Sequence, residues 1–190
     1  MKVLLVSEGK HELSGSLESL VRRLSSHTLD VHHDRVSRSD IHTHRGKGQG
    51  FFKRAIRWLL EARKRGYEAI VLVIDEDGHA ERASELSEAQ QYSSVEFPCA
   101  FGIAIPTFDA WMLADERALT TVLGREIRRQ PAPESLTNPK QICNDLCASS
   151  GTDISLSQMY AQIAQACVIS RLEERCPKGF GTFAVRVRQL

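Results

Sequence analysis

Short apolar runs alternate along the chain with longer stretches in which apolar residues recur every three or four positions. Val3-Leu4-Leu5-Val6 and Ile70-Val71-Leu72-Val73-Ile74 are short runs rich in Val, Ile and Leu. That is the composition of strands buried on both faces of a parallel sheet. The pattern predicts a strand over 2–6 and a helix over 13–24, carried by Leu13, Leu17, Leu20, Val21 and Leu24, with Ser14 or Ser16 as its N-cap. A more polar, His-rich strand falls within 29–36 and reads as a sheet edge. A helix over 51–65 carries the stripe Phe52, Ala55, Ile56, Leu59, Leu60 and Ala62 and ends at Gly66. A strand over 69–74, a polar helix over 79–91, a strand over 100–105 closed by Pro106, and a helix over 109–123 complete the series.

The order βαβαβαβα predicts an α/β protein with a mainly parallel four-stranded sheet sandwiched by helices. After Gly124 the pattern changes. Pro131, Pro133 and Asn138-Pro139 punctuate a loop, and 140–149 and 156–170 read as helices. Phe180, Phe183, Ala184, Val187 and Leu190 also have helical spacing, although Val185-Arg186-Val187-Arg188 fits a strand as well. The chain thus divides into an α/β core over 1–124 and a helical extension over 125–190 packed on it.

Composition adds exclusions. No apolar stretch is long enough to span a bilayer, and MKVLLV opens a strand with no secretory signal ahead of it. Five cysteines without a compact framework (Cys99, Cys143, Cys147, Cys167, Cys176) fit reduced thiols in a cytoplasm. Cys143 and Cys147 read as small residues on one buried helix face, because no second ligand pair follows for zinc.

Charge changes the picture more. The net charge of +1 conceals a polarity: residues 35–65 hold ten Lys/Arg against two acids, and residues 75–116 hold ten acids against one base, Arg82. Such blocks are often only solvated faces. Here the acidic block begins with Asp75-Glu76-Asp77-Gly78, directly after a buried-type strand, and Glu8 follows the first strand in the same way. Parallel strands end on one sheet edge, so these acids converge if the topology holds. Carboxylates brought together repel and lose hydration. A hard divalent ion, Mg²⁺ or Mn²⁺, relieves both and suits an all-oxygen ligand set. The basic block would then hold a polyanion beside the ion.

These residues resemble the Toprim fold, the metal-binding domain of topoisomerases, DnaG-type primases, overcoming-lysogenization-defect nucleases and small ribonucleases. Glu8-Gly9 matches the family's Glu-Gly after the first strand, and Asp75-Glu76-Asp77 its Asp-x-Asp. Within the family, Val6-Ser7-Glu8-Gly9-Lys10-His11-Glu12 is similar to the opening of small stand-alone bacterial Toprim-like proteins encoded near ATPases in mobile-element or phage-defence loci. So are Arg45-Gly46-Lys47-Gly48, the segment 105–115 and Asn138-Pro139-Lys140. The likeness covers roughly 1–145. It departs where topoisomerases and primases often carry a third acid, here His79, and no zinc ribbon or strand-passage region is evident. The resemblance implies a Toprim/Rossmann-like fold and a small nuclease-like protein. It also implies an acid after strand four, Asp109, able to hold a second metal or orient a water, and an ATPase partner.

Two classes of function follow. In the first, a Mg²⁺- or Mn²⁺-dependent nuclease acts on DNA or RNA phosphodiesters, possible effector of an ATPase-linked phage-defence system. Asp75 and Asp77 bind metal, Glu8 binds it too or accepts a proton from the attacking water, and Arg45, Lys47, Lys53, Arg54, Arg57 and Lys140 contact phosphates. In the second, a non-catalytic Toprim-fold partner or toxin-like subunit is held by an ATPase. A haloacid-dehalogenase-like phosphatase is disfavoured, since its Asp-x-Asp-x-Thr/Val follows the first strand. Arg45-Gly46-Lys47-Gly48-Gln49-Gly50 lacks the Lys-Ser/Thr ending of a P-loop. His42 and His44 read as exposed loop residues, Glu12 as a solvent acid near a helix start, and Trp58 and Trp111 as core.

Overall fold

A computed structural model describes residues 1–37, 50–93, 97–151 and 153–190. Four strands, β1 (Lys2–Ser7), β2 (Asp30–Arg35), β3 (Ala69–Asp75) and β4 (Cys99–Ala104), form one sheet in the order β2-β1-β3-β4. Every pairing is parallel: Leu5 lies opposite both His33 and Val71, and Asp75 opposite Ala104. The protein is therefore α/β, as its apolar rhythm predicts. The edge strand β2 is largely exposed, whereas β1, β3 and β4 are buried almost throughout.

Alternation sorts the strand residues onto two faces. Leu4, Val6, Ile70, Leu72 and Ile74 pack under α2 (Gly50–Lys64) and α3 (Glu81–Ser93), where Trp58 is fully buried. Val3, Leu5, Val71 and Val73 face the opposite layer. That layer holds α1 (Ser16–Leu24), α4 (Phe108–Met112), α5 (Glu116–Leu123), α6 (Pro139–Ala148), α7 (Leu156–Ala166), α8 (Ile169–Arg175) and α9 (Thr182–Val187). Residues beyond 124 share this second core: α7 lies on α1, and α9 lies on β4. Gly102 lets α9 approach, since a Cβ there would stand 2.6 Å from the Phe183 ring. Phe183 in turn stacks on Trp111 at 5.5 Å.

Several boundaries differ from the sequence reading. The helix expected over 13–24 begins at Ser16, after a 3₁₀ turn at Glu12–Ser14, and its N-cap is Gly15 rather than a serine. The helix expected over 109–123 is two helices. The break is made by Asp115, whose carboxylate caps α5 and also accepts from the Val168 N–H and from Arg171, at 2.8 and 2.7 Å. The helix expected over 156–170 stops at Ala166, where Cys167 and Val168 are extended, and α8 follows. Residues 182–187 are helical, not a strand. No helix among the described residues is long and apolar enough to cross a membrane.

Candidate functional site

The carboxyl ends of β1, β3 and β4 deliver acids to one edge. Because β1 and β3 are neighbours in parallel register, Glu8 follows β1 beside the end of β3, and its Oε2 accepts the Asp75 N–H at 3.1 Å. Asp75 Oδ1 accepts the Phe108 N–H at 2.8 Å, which ties β3 to the start of α4. One residue on, Asp109 is 8% exposed and accepts from the Thr107 hydroxyl at 2.9 Å and from the Tyr160 hydroxyl of α7. Asp77 lies in the left-handed region, φ 57°, which turns its side chain outward to 67% exposure.

A fifth acid belongs to this edge. Glu12, expected in solvent, is 9% exposed and accepts from the Ser7 hydroxyl at 3.2 Å. Its carboxylate is folded under Gly9, so close that any Cβ at that position would collide with it. Gly9 thus makes room for Glu12 inside the turn after β1. Burial raises the Glu12 carboxyl above its ordinary range, opposed by the Ser7 and Gly9 hydrogen bonds and reinforced by Asp109. Asp75 feels the whole group: burial first, then Glu12, Asp109 and Glu8, raise it to about 8, against the lowering effect of the Phe108 N–H. The four-residue spacing of Glu8 and Glu12 across a glycine is the sequence signal that could have found the fifth acid.

An arginine and a histidine flank the acids. Arg82, on the first turn of α3, donates to the Asp75 carbonyl at 2.8 Å and stands 3.9 Å from Glu8 and 4.0 Å from Asp77. It is the lone base of the acidic block, a signal visible in the sequence. On the other side, His11 shares a hydrogen bond with Ser157 of α7 at 2.7 Å and meets the Tyr160 ring edge-on. Burial lowers its pKa, and the charges of Lys10 and Lys140 add to this while Asp109 opposes it. Lys140 is exposed on the first turn of α6, near enough to His11 for its charge to be felt there. Nothing in the sequence marks Tyr160 or Ser157, which act only through tertiary contact.

Of the proposed phosphate contacts, Lys53 is exposed on α2, and Arg54 and Arg57 are half-buried there. Arg54 lies over the Phe51 ring at 4.8 Å. Arg45, Lys47, His42 and His44 lie outside the described residues. The donor set fits a hard cation: it is all oxygen, and Asp75, raised first by burial, is raised further by the neighbouring acids Glu12, Asp109 and Glu8. Among the described residues, no three His, Cys, Asp or Glu side chains already stand at the spacing of a formed metal cage. Comparison of the chain with protein-family models, with curated proteins and with solved structures gave no match.

Proposed function

We propose that this chain is a divalent-metal-dependent, Toprim-like nuclease acting on nucleic-acid phosphodiesters. The observation that carries the reading is the gathering of Glu8, Glu12, Asp75 and Asp109 at the carboxyl edge of three adjacent parallel strands, with Asp77 at its rim. Asp75, Asp77 and Glu8 would hold Mg²⁺ or Mn²⁺, with Glu12 and Asp109 behind them. When bound, such an ion supplies Lewis-acid stabilisation of charge on a scissile phosphate.

The chain's own groups do the rest. The Asp75 N–H orients Glu8, which accepts a proton from the attacking water. The water oxygen bonds to phosphorus, one phosphorus–oxygen ester bond breaks, and solvent protonates the leaving oxygen. Lys53, Arg54, Arg57 and Lys140, with Arg45 and Lys47, hold the backbone without reading sequence. The free cysteines suit a reducing cytoplasm. The family resemblance supports an ATPase partner that completes the grip on substrate.

The test is Mn²⁺ calorimetry and a cleavage assay on single- and double-stranded DNA and RNA, with wild type and Asp75→Asn. We expect micromolar-to-millimolar Mn²⁺ uptake and cleavage, both lost in a folded Asp75→Asn protein. A wild-type protein that takes up no Mn²⁺ and cleaves nothing, alone or with the ATPase, would favour a non-catalytic docking subunit instead.

A further inference from the structure

Arg82 is held from several sides. Its guanidinium lies 4.6 Å over the Phe51 ring, the same ring that carries Arg54. Phe51 is itself fixed, its N–H donating to Glu85, one turn beyond Arg82 on α3, at 2.7 Å. The Arg82 side chain is 16% exposed, yet its hydrogen bond to the site goes to a main-chain carbonyl. The carboxylates of Glu8 and Asp77, at 3.9 and 4.0 Å, are within ion-pair range and beyond hydrogen-bond reach. Arg82 also lines, with Phe51, His79 and Glu85, a surface cavity of about 260 Å³. Among the described residues, Arg82 therefore stands between the acids and this cavity.

A guanidinium meant only to neutralise acids would close on a carboxylate with two parallel hydrogen bonds. This one is stacked and tethered short of that geometry, so its fork is pre-set and costs little to engage. We propose that Arg82 is the anion-binding residue of the carboxylate site. In the resting protein it stands in for a cation near Glu8 and Asp77. With the metal in place it binds a non-bridging oxygen of the substrate phosphate. Phe51, at the start of the cationic helix α2, sets its direction. This rests on the metal-dependent reading above.

The experiment uses the full chain. Mn²⁺ affinity is measured by calorimetry, and binding of a hydrolysis-resistant phosphorothioate oligonucleotide by fluorescence anisotropy in Mn²⁺. Arg82→Gln removes a like charge from the neighbourhood of the ion, so Mn²⁺ should bind about threefold or more tightly. The oligonucleotide should bind about tenfold or more weakly, through loss of a charge-assisted pair. Arg82→Lys should keep wild-type Mn²⁺ affinity and still lose most oligonucleotide affinity, because an ammonium cannot fork between the Asp75 carbonyl and a phosphate. It also carries the test if Arg82→Gln does not fold. Wild-type Mn²⁺ and oligonucleotide affinities in both variants, with only a lower melting temperature, would leave Arg82 a structural tether and overturn the proposal. Absence of Mn²⁺ uptake by the wild type would instead overturn the metal-dependent reading and this inference with it.

Discussion

Asp75 makes the sharpest prediction at the scale of one residue. Its carboxyl is raised from 3.8 to about 8 by burial and by its acidic neighbours. The folded protein therefore binds a proton between those values that the unfolded chain has released. Without metal, stability should fall as pH rises from about 4 to about 8 and level off above. Asp75→Asn keeps the shape and removes the titration, so its profile should be flatter and its melting temperature at pH 8 higher than wild type. Urea denaturation at pH 5 and pH 8 checks both, and an unchanged pH slope in Asp75→Asn would refute the buried-acid account. Glu8, Asp75 and Asp77 stood out in the sequence because each lies within three residues of the end of an apolar run. Glu12 did not, because a charged residue directly before a helical stripe reads as a solvated acid until the turn at Gly9 is seen to fold it inward. Tyr160 was hidden for a related reason: its contact with Asp109 exists only once α7 packs against the site.

At the scale of elements, the succession of strands and helices along the chain followed from the apolar pattern, since β1 and β3 are buried on both faces and carry runs of Val, Ile and Leu. The helix breaks did not follow, because they are decided by long-range partners. Asp115 ends one helix and starts another through Val168 and Arg171, which are more than fifty residues away. The packing of α9 on β4 yields a paired prediction. Gly102→Ala places a methyl against the buried Phe183 ring and should cost about 1–3 kcal/mol by overpacking. Phe183→Leu in the same chain removes the ring edge and should recover part of that loss, although alone it is destabilising. Denaturant midpoints of the two single variants and the double variant test this, and strict additivity would rule out the contact as the cause. Tyr160→Phe tests the tie between α7 and the site. It removes a buried donor from Asp109 and should cost about 1–3 kcal/mol, with a measurable change in Mn²⁺ affinity.

Over the whole molecule, the basic helix α2 and the acidic helix α3 meet rather than lie apart, as packed neighbours over the same face of the sheet. Oligonucleotide binding should therefore weaken steeply with salt. Replacing Lys53, Arg54 and Arg57 together by Gln should weaken all sequences alike and reduce the log–log salt slope by about three, roughly one per cation lost. An unchanged slope would point to docking of a protein partner on this surface. The contacts from α7 carry a different consequence. Residues 1–124 hold every proposed acid, yet the hydroxyl on Asp109 and the hydroxyl on His11 come from Tyr160 and Ser157. The two portions thus complete one another at the carboxylate edge. If they are expressed as separate polypeptides, cut between 124 and 139, the first should lack a properly seated Asp109 until the second is added, and on the metal-dependent reading mixing them should restore Mn²⁺ uptake in trans.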